Sequence, residues 1–497
     1  MQPSAEMPSE GAVSLETLLD EAPTSRFHHR AVVISGVGFF TDAYDLFVIS
    51  TVATLVAAQW HLSTTEESWV SGSTILAAFF GAIVFGRIAD LLGRKRVYAI
   101  VAAVMILGAV ASAFAPDFAL LVVARFVLGL GVGGDYPVSA VLMSEYANRV
   151  DRGRLVGLVF SMQALGLVIG PLVAIGLLAS GIGDQLTWRI LLGLGALPAA
   201  AVVYLRARMP ESPRFRAHVQ GDAEKAATEA AAFSGGALGA VSRTSAVAPR
   251  RMHLGEFLSD RRMLVLLLGT AGSWFLFDYA YYGNTLSLPA ILKSVDPGAS
   301  MITKLALSLA MFVVFAVPGY ILAVARMDRI GHRRLQVMSF AILAATFALL
   351  GAVPVLTSDV VPFVAIFGLT YFFVEFGPNT TTFVLPSEVF PTSVRTTGHG
   401  MAAGLGKLGA FAGVFLVPVL QDHLGLRGML GVAAGFAVLG GLCSLVLPEP
   451  ALRSLEDVAH GGNPGKRDTA PDANVTPMQK RGRTRLSRGR RSLPARN

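Results

Sequence analysis

Several ionisable side chains stand inside long apolar stretches of this sequence, where a charge is costly. Asp135 lies in the stretch GVGGDYPVSA, and Lys407 lies in GLGKLGAF. The acids in such surroundings are Asp42, Asp45, Asp135, Asp278 and Glu375. A charge at the centre of a bilayer costs at least about 2.5–3.5 kcal/mol, so charges on several segments are tolerable only if they face a shared aqueous cavity. Groups in such a cavity can bind protons and an ionic or polar solute.

Distances along a helix place these residues at one depth. Asp135 is ten residues from Glu145, and Lys407 is twelve residues from Arg395. At 1.5 Å per residue these separations are about 15 Å and about 18 Å. The hydrocarbon core of a bilayer is about 30 Å thick, so both side chains are expected near its midplane. The other residues expected at this depth are Asp42, Asp45, Gln163, Trp274, Asp278, Tyr282 and Glu375.

Hydrogen-bond donors accompany the charges. Trp274, Asp278 and Tyr282 are spaced four residues apart and therefore share one face of a helix. One lysine with tyrosine, tryptophan and glutamine donors suits an anion. A protonated acid can donate a hydrogen bond to that anion, whereas the ionised acid repels it. Protons and the anion would then bind cooperatively, which is the basis of symport.

Tyr136 and Pro137 follow Asp135 directly. We expect Pro137 to break the helix here and free backbone groups for a ligand, because proline removes a backbone donor and clashes with the preceding turn. The alternative role for Asp135 is a structural ion pair with a cation. Arg125 is ten residues away on the same helix and is too far for direct contact.

Twelve predominantly apolar runs make up most of the chain. The 497 residues are 53% hydrophobic and 15% charged, and the mean hydropathy is +0.58. Runs of roughly 20 apolar residues can span a bilayer, and backbone groups in lipid must be satisfied within helices. We predict an all-α membrane protein with spans 1 to 12 near residues 31–58, 68–90, 97–115, 118–146, 154–180, 188–207, 263–292, 302–326, 335–352, 360–386, 395–420 and 429–448.

Basic residues are concentrated on one side of the predicted membrane. The connections after spans 2, 4, 8 and 10 contain arginines, whereas the opposite connections hold almost no basic residue. By the positive-inside rule both chain termini and the loop 208–262 are expected in the cytoplasm. The basic charge therefore reflects topology and does not indicate nucleic-acid binding. The basic tail is predicted to be disordered, and both free solvation and contact with anionic lipid fit its charge.

Charged motifs occur twice at nearly constant offsets. DLLGRKR at 90–96 is matched by DRIGHRR 238 residues later, SE at 144–145 by SE 243 residues later, and PE at 210–211 by PE 238 residues later. Such pairs indicate two six-helix halves. The predicted domains are a cytoplasmic N-terminal segment, a first six-helix bundle, a cytoplasmic linker, a second six-helix bundle and a basic tail, at 1–30, 31–207, 208–262, 263–450 and 451–497.

The repeated motifs put acids and arginines at helix ends on the cytoplasmic side. Acid–arginine pairs there would latch the two halves together and break when that side opens. The alternative is that these charges only retain the basic loops in the cytoplasm. The candidate gate residues are Asp90, Arg94, Glu145, Arg152, Asp328, Arg333, Glu388 and Arg395.

Several of these motifs resemble the signatures of the major facilitator superfamily. They are GRIADLLGRKR at 86–96 with its degenerate second copy, PESPR at 210–214 and PSEVFP at 386–391. The resemblance covers roughly residues 30–450. It implies two helical bundles with alternating access around a central site.

Other motifs resemble the phosphate:proton symporter branch of that superfamily. They are GGDYP at 133–137, SEYA at 144–147, WFLFD at 274–278 with Tyr282, FGPNTTT at 376–382, and HG at 399–400 with Lys407. The resemblance implies that phosphate is held by Tyr136, Gln163, Trp274, Asp278, Tyr282 and Lys407. It implies proton handling by Asp42, Asp45 and Asp135. Glu375 is not part of this pattern, and an extra acid leaves room for another substrate.

We therefore expect a proton-coupled transporter that imports phosphate across the cell membrane, working as a monomer without a cofactor. A symporter of an organic anion or other small solute is the first alternative. A membrane nutrient sensor that signals through its tail is the second. An enzyme is not expected, because the sequence shows no metal-ligand cluster, nucleophile elbow or P-loop.

Overall fold

The protein is all-helical in a computed structural model that describes residues 15–233 and 252–460. The predicted tail beyond residue 460, the middle of the predicted linker and residues 1–14 lie outside the described residues. Short helices at Leu15–Glu21, Pro213–Phe215, Arg216–Gln220, Ala223–Phe233, Leu254–Ser259 and Leu455–His460 flank or connect the long ones.

The long helices match the predicted spans. Ten of them are Arg26–Trp60, Thr64–Leu92, Arg94–Ala113, Phe118–Tyr146, Arg152–Ala179, Asp184–Arg208, Arg261–Leu286, Met301–Ile330, His332–Ala352 and Val360–Val389. The last long element, Arg395–Ser444, has 50 residues and contains Gly425 in a non-helical conformation (φ 68°, ψ 173°). It therefore comprises spans 11 and 12, so the all-α fold with twelve membrane helices is confirmed.

Spans 1–6 form the N-terminal half and spans 7–12 the C-terminal half. Small residues let the helices approach closely, as is usual between membrane helices. A Cβ on Gly133 in span 4 would lie 2.1 Å from the carbonyl oxygen of Ala78 in span 2. A Cβ on Gly400 in span 11 would lie 2.3 Å from the carbonyl oxygen of Ala82, so span 2 also touches the other half. We call the side where span 1 begins and span 12 ends the terminal face.

The expected break at Pro137 is wrong. Span 4 remains helical from Phe118 to Tyr146, because one missing backbone donor is tolerated in a helix that is packed on several sides. The backbone breaks instead in span 10, at Gly377 (φ −124°, ψ −102°), before Pro378. The hydroxyl of Thr380 donates to the carbonyl oxygen of Glu375 at 2.7 Å and so satisfies one group that the break frees.

Candidate functional site: a polar cluster between the two halves

Lys407 occupies the centre of a buried polar cluster. Its amine donates to the hydroxyl of Tyr282 at 2.7 Å and lies 3.4 Å from Oδ2 of Asp278. The same amine lies 4.4 Å from the centre of the Tyr136 ring and 4.2 Å from that of the Tyr282 ring. A cation over aromatic faces is attracted by their quadrupoles, most strongly where water is excluded. Tyr136 belongs to the N-terminal half, so this amine contacts side chains of both halves.

Tyr136 connects the lysine to an acid of span 1. Its hydroxyl donates to Oδ2 of Asp42 at 2.6 Å and accepts from Nε2 of Gln163 at 3.2 Å. Oδ1 of Asp42 and Oδ1 of Asp278 are buried and have no hydrogen-bond partner among the described residues. Each acid therefore retains an oxygen that can bind a proton or meet a ligand.

Hydrogen bonds continue from Gln163 into the C-terminal half. The hydroxyl of Tyr320 donates to Oε1 of Gln163 at 3.1 Å, and Nδ2 of Asn379 donates to the Tyr320 hydroxyl at 2.9 Å. The same amide donates to Oε2 of Glu375 at 2.6 Å. A continuous chain of polar contacts thus runs from Asp42 to Glu375 across the boundary between the halves.

Aromatic side chains enclose this cluster. The Trp274 ring centre lies 6.1 Å from that of Tyr136 and 5.7 Å from that of His399. Towards the terminal face, Phe160 and Phe383 stack across the two halves with ring centres 4.5 Å apart. Towards the opposite face, rings also meet between the halves, in the pairs Phe47–Phe312 and Trp69–Phe415.

The structure brings all six predicted substrate residues together. Each has between 1% and 5% of its surface exposed, and each contacts another member of the set. The six are Tyr136, Gln163, Trp274, Asp278, Tyr282 and Lys407. Of the three acids predicted to handle protons, only Asp42 contacts a member of the set directly. Its contact is the hydrogen bond from Tyr136.

Asp45 and Asp135 form buried ion pairs outside this cluster. Nη1 of Arg125 lies 2.5 Å from Oδ1 of Asp45. Both guanidinium ends of Arg206 donate to Asp135, at 2.8 and 3.0 Å. Asp135 therefore forms a structural ion pair, which was the alternative role considered for it. The cation of this pair is Arg206 of span 6. Arg206 could not be recognised from the sequence, because it stands at the end of its span and resembles a topology signal.

A first ionic network joins the halves at the terminal face. Nη2 of Arg94 lies 3.0 Å from Oδ1 of Asp90 and 3.2 Å from Oε1 of Glu145. Arg395 of the C-terminal half donates to the same Glu145 oxygen at 3.2 Å. Oδ2 of Asp90 accepts from the backbone N–H and the hydroxyl of Thr397 in span 11, at 2.6 and 2.7 Å.

The repeat produces a second network with histidine in place of arginine. His332 stands where the second copy aligns with Arg94, and its ring lies 2.7 Å from Glu388 and 3.1 Å from Asp328. Both turns need glycine, since Gly93 and Gly331 have φ values of 102° and 100°. Arg333, a candidate gate residue from the sequence, lies outside this network, and its side chain donates to the carbonyl oxygen of Leu447.

Glu211 and Glu449, the glutamates of the repeated PE motif, cap the N-terminal ends of spans 3 and 9. Glu211 accepts from the backbone N–H groups of Arg94 and Lys95 at 3.1 and 3.3 Å. Glu449 accepts likewise from His332 at 2.7 Å. A carboxylate at a helix N-terminus offsets its unpaired N–H groups and positive dipole end. Burial raises the pKa of Glu211, and nearby Arg94 opposes that effect.

Arg152 belongs to a third set of contacts on this face. It donates to Oδ1 of Asp20 at 2.9 Å, and Arg214 donates to the same oxygen at 2.6 Å. Arg214 also pairs with Glu456 of the last described helix at 2.9 Å. Burial opposes ionisation of Glu456, but Arg214 and Arg395 outweigh it and lower the pKa of this carboxyl to about 2. These contacts link the N-terminal segment, the linker and the last described helix.

Several partners are not recognisable from the sequence for a common reason. Tyr320, Asn379, Arg206 and Asp20 are ordinary in their own local sequence, and only the packing of distant segments brings them to the residues that they contact. Asn379 lies inside the FGPNTTT motif, which is the one sequence signal that points to it.

The family model described as sugar (and other) transporter matches residues 31–461. A probable inorganic phosphate transporter 1-6 of Arabidopsis thaliana is 35% identical over 93% of this chain and 99% of its own length. A putative inorganic phosphate transporter 1-13 of Oryza sativa subsp. japonica is 36% identical over 88% of this chain and 92% of its own length.

Among solved structures, the major facilitator superfamily proton:xylose symporter XylE with bound 6-bromo-6-deoxy-D-glucose has a similar fold. The TM-score is 0.73 at 18% identity, and the match covers 89% of this chain and 100% of that chain.

Proposed function

The chain belongs to the sugar (and other) transporter family of the major facilitator superfamily, and from this premise we propose that it imports inorganic phosphate together with protons. Family membership makes it a multi-pass membrane transporter of a small molecule. Support for phosphate comes from relatives that bear this function in their names and align over nearly the whole chain.

One observation carries the proposal: within residues 15–233 and 252–460, the only buried lysine lies between two tyrosines at the boundary of the halves. A tetrahedral oxyanion needs one cation and several neutral donors. Lys407 supplies the cation, and Tyr282, Tyr136 and Gln163 supply hydroxyl and amide donors. Phosphate binding here would replace the direct contacts between these groups with contacts to its oxygens.

Asp42 and Asp278 make anion binding depend on protons. An ionised acid repels phosphate, whereas a protonated acid donates to a phosphate oxygen. Protonation of Asp42 at its unpartnered Oδ1 would leave the contact with Tyr136 intact. Proton and phosphate therefore favour each other's binding, and the loaded site carries less charge through the membrane.

The terminal face serves as the cytoplasmic gate in this proposal. Arginine-rich connections on that face support a cytoplasmic location for both termini, by the positive-inside rule. Asp90, Arg94, Glu145 and Arg395 hold the halves together there and separate when that side opens. We place the protein in the cell membrane as a monomer, with 31–207 and 263–450 as its two bundles and its basic tail free or on anionic lipid.

A second candidate function is symport of an organic anion or other small solute. Glu375 favours it, because this buried acid and Asn379 could bind hydroxyl groups of a larger substrate.

Ligand binding to the purified protein separates the two candidates. Heat of binding would be measured for phosphate, sulfate, xylose and small carboxylates at acidic and neutral pH. Phosphate should bind. Its affinity should increase in acid by more than the conversion of phosphate to its singly charged form would explain. Binding of a carboxylate or sugar without binding of phosphate would favour the second candidate and overturn the first.

A further inference from the structure

Glu375 is a fully buried acid at the backbone break of span 10. It has 0% of its surface exposed and lies two residues before Gly377, where helical geometry ends. Oε1 accepts from the hydroxyl of Tyr281 at 3.1 Å, and Oε2 accepts from Asn379 at 2.6 Å. Both oxygens therefore have a neutral hydrogen-bond donor.

No cation pairs with Glu375 among residues 15–233 and 252–460. Its titratable neighbours are phenols: Tyr281 of span 7, Tyr320 of span 8 and Tyr371 one turn earlier on its own helix. In span 9, Ser339 packs against Gly377. Ser339 lies seven residues after His332, the first charged residue of that span. The charged groups of spans 8 and 9 and of the connections beside them lie nearer the helix ends, at Lys293, Lys304, Arg326, Asp328, Arg329, His332, Arg333 and Arg334, and Glu388 lies at the end of span 10 itself. Spans 7 and 11 also pack against span 10. Their inner titratable groups have partners other than Glu375, because Asp278 and Lys407 pair with each other and His399 donates to the carbonyl oxygen of Phe383.

The other acids at this depth differ in that respect. Asp45, Asp135 and Asp278 each have a basic partner, which is Arg125, Arg206 or Lys407. Only Asp42 shares with Glu375 the lack of an ion-pair partner among the described residues. A buried charge without a counter-charge costs several kcal/mol, whereas a hydrogen-bonded neutral acid does not. In this arrangement Glu375 is therefore more stable with a proton than without one.

We propose that Glu375 is a second proton-binding site of the transport cycle, located in the C-terminal half and separate from Asp42. The groups around Glu375 determine which of its two oxygens carries the proton. Nδ2 of Asn379 can only donate, so Oε2 must accept. The contact between Oε1 and the Tyr281 hydroxyl can be made with either group as donor, so the proton resides on Oε1.

Asp42 and Glu375 take up their protons independently. The contacts between them pass through Gln163 and Asn379, and an amide does not readily accept a proton and pass on another. The chain of contacts therefore couples the positions of the two halves but does not conduct protons. Each acid must exchange its own proton with water when its side of the site opens.

If the proposed phosphate transport is correct, the charge balance of the site explains why both protons are needed. With Asp42, Asp278 and Glu375 ionised and Lys407 charged, the cluster has a net charge of −2. Protonation of Asp42 and Glu375 makes it neutral, so an anion can enter without facing a net negative site. Glu375 then adds one proton to each phosphate carried.

The ratio of protons to phosphate tests this inference. The zero-flux condition would be measured in proteoliposomes under opposed proton and phosphate gradients, for the parent, Glu375→Gln and Glu375→Asp. We expect Glu375→Gln to carry one proton fewer per phosphate and Glu375→Asp to keep the parental ratio. An unchanged ratio in Glu375→Gln would overturn the proposal. A parent protein that carries no phosphate would instead overturn the proposed function.

Infrared spectroscopy provides a readout that needs neither substrate nor turnover. The difference spectrum between acidic and alkaline protein should contain a carbonyl stretch of a protonated carboxylic acid that is missing in Glu375→Gln. Glu375→Asp should retain the band, and Tyr281→Phe should shift it, because Tyr281 contacts the protonated oxygen. If the parent and Glu375→Gln spectra agree, Glu375 does not bind a proton.

Discussion

The Lys407 amine of the C-terminal half lies 4.4 Å from the centre of the Tyr136 ring of the N-terminal half. Any opening that separates the halves at this depth must change that distance. The lysine then keeps Tyr282 and Asp278, which are on its own half, and loses Tyr136 with its attached Asp42. Substrate that contacts both halves would hold them together, which explains how binding at this place can control closure.

Replacing Lys407 should weaken phosphate binding without unfolding the protein. A hydrogen bond to a charged group contributes about 1.5–3 kcal/mol, so Lys407→Ala should raise the dissociation constant about 10- to 150-fold. Calorimetric titration of monodisperse protein measures this. Lys293→Ala, at an exposed lysine, is the control and should bind as the parent does. If Lys407→Ala binds phosphate with the parental affinity, Lys407 does not contribute to phosphate binding.

Asp135 should matter for stability, because it neutralises Arg206. Asp135→Asn leaves a buried guanidinium without its counter-charge, which costs about 3–5 kcal/mol. We expect a lowered Tm in Asp135→Asn and partial recovery in the double variant Asp135→Asn/Arg206→Gln. Parental Tm combined with loss of the pH dependence of uptake would instead give Asp135 the proton role that the family resemblance implies.

The positions of buried charges along the chain were predictable, whereas their partners were not. Hydropathy and helix rise placed Asp42, Asp135 and Lys407 at one depth, because one span fixes its own axial distances. Which face each residue takes, and which neighbour it meets, depends on helix rotation and on the order of packing. The pairing of Asp135 with Arg206, 71 residues later, is of this kind.

Backbone breaks illustrate the same limit. A proline in a span looks like a break, yet span 4 accommodates Pro137 within one helix. Span 10 does break, where Gly377 precedes Pro378 and nearby side chains satisfy the freed groups. The difference lies in the tertiary surroundings, and local sequence does not contain it. The internal repeat was more informative, since it correctly matched the turns at Gly93 and Gly331.

Neutralising Glu145 should open the terminal face. One oxygen of this acid accepts from Arg94 and from Arg395, so Glu145→Gln leaves two buried arginines without that charge. The gate can be probed with a cysteine introduced by Ser387→Cys in a Cys443→Ser background. We expect this cysteine to react with a thiol reagent about tenfold faster when Glu145→Gln is added than when Glu145 is present, a difference equivalent to about 1.4 kcal/mol.

Phosphate affinity in Glu145→Gln should stay close to the parental value, because the change lies outside the central cluster. Asp184→Asn alters an exposed acid at the start of span 6, on the other side of the protein, and should leave the labelling rate unchanged. Equal rates in all three proteins would show that Glu145 does not hold the gate.

The pairing of Glu456 with Arg214 should stabilise the protein in a pH-dependent way. Its pKa falls from 4.5 to about 2 on folding, so the stabilisation is complete above pH 4.5 and disappears as the pH falls towards 2. The full shift corresponds to at most about 3 kcal/mol. Glu456→Gln should therefore lower Tm near neutral pH and differ progressively less from the parent in acid.

The neighbouring Asp457 provides the matched comparison, because it is exposed on the same short helix. Asp457→Asn should follow the parent at every pH. A constant difference in Tm between Glu456→Gln and the parent across this range would contradict the ionic origin of the effect.

The central claim is that proton movement drives phosphate through the site between the two halves. The most direct test is uptake of labelled phosphate by proteoliposomes that contain equal phosphate on both sides, with the outside made more acidic. Each pH unit supplies about 1.4 kcal/mol per proton, so phosphate should accumulate inside about tenfold or more per unit and leak out when a protonophore is added. Asp42→Asn should accumulate less phosphate per pH unit than the parent, because it lacks one of the two proposed proton-binding acids. Phosphate that equilibrates but never accumulates in the parent would contradict proton coupling, and phosphate that does not enter at all would contradict the proposed substrate.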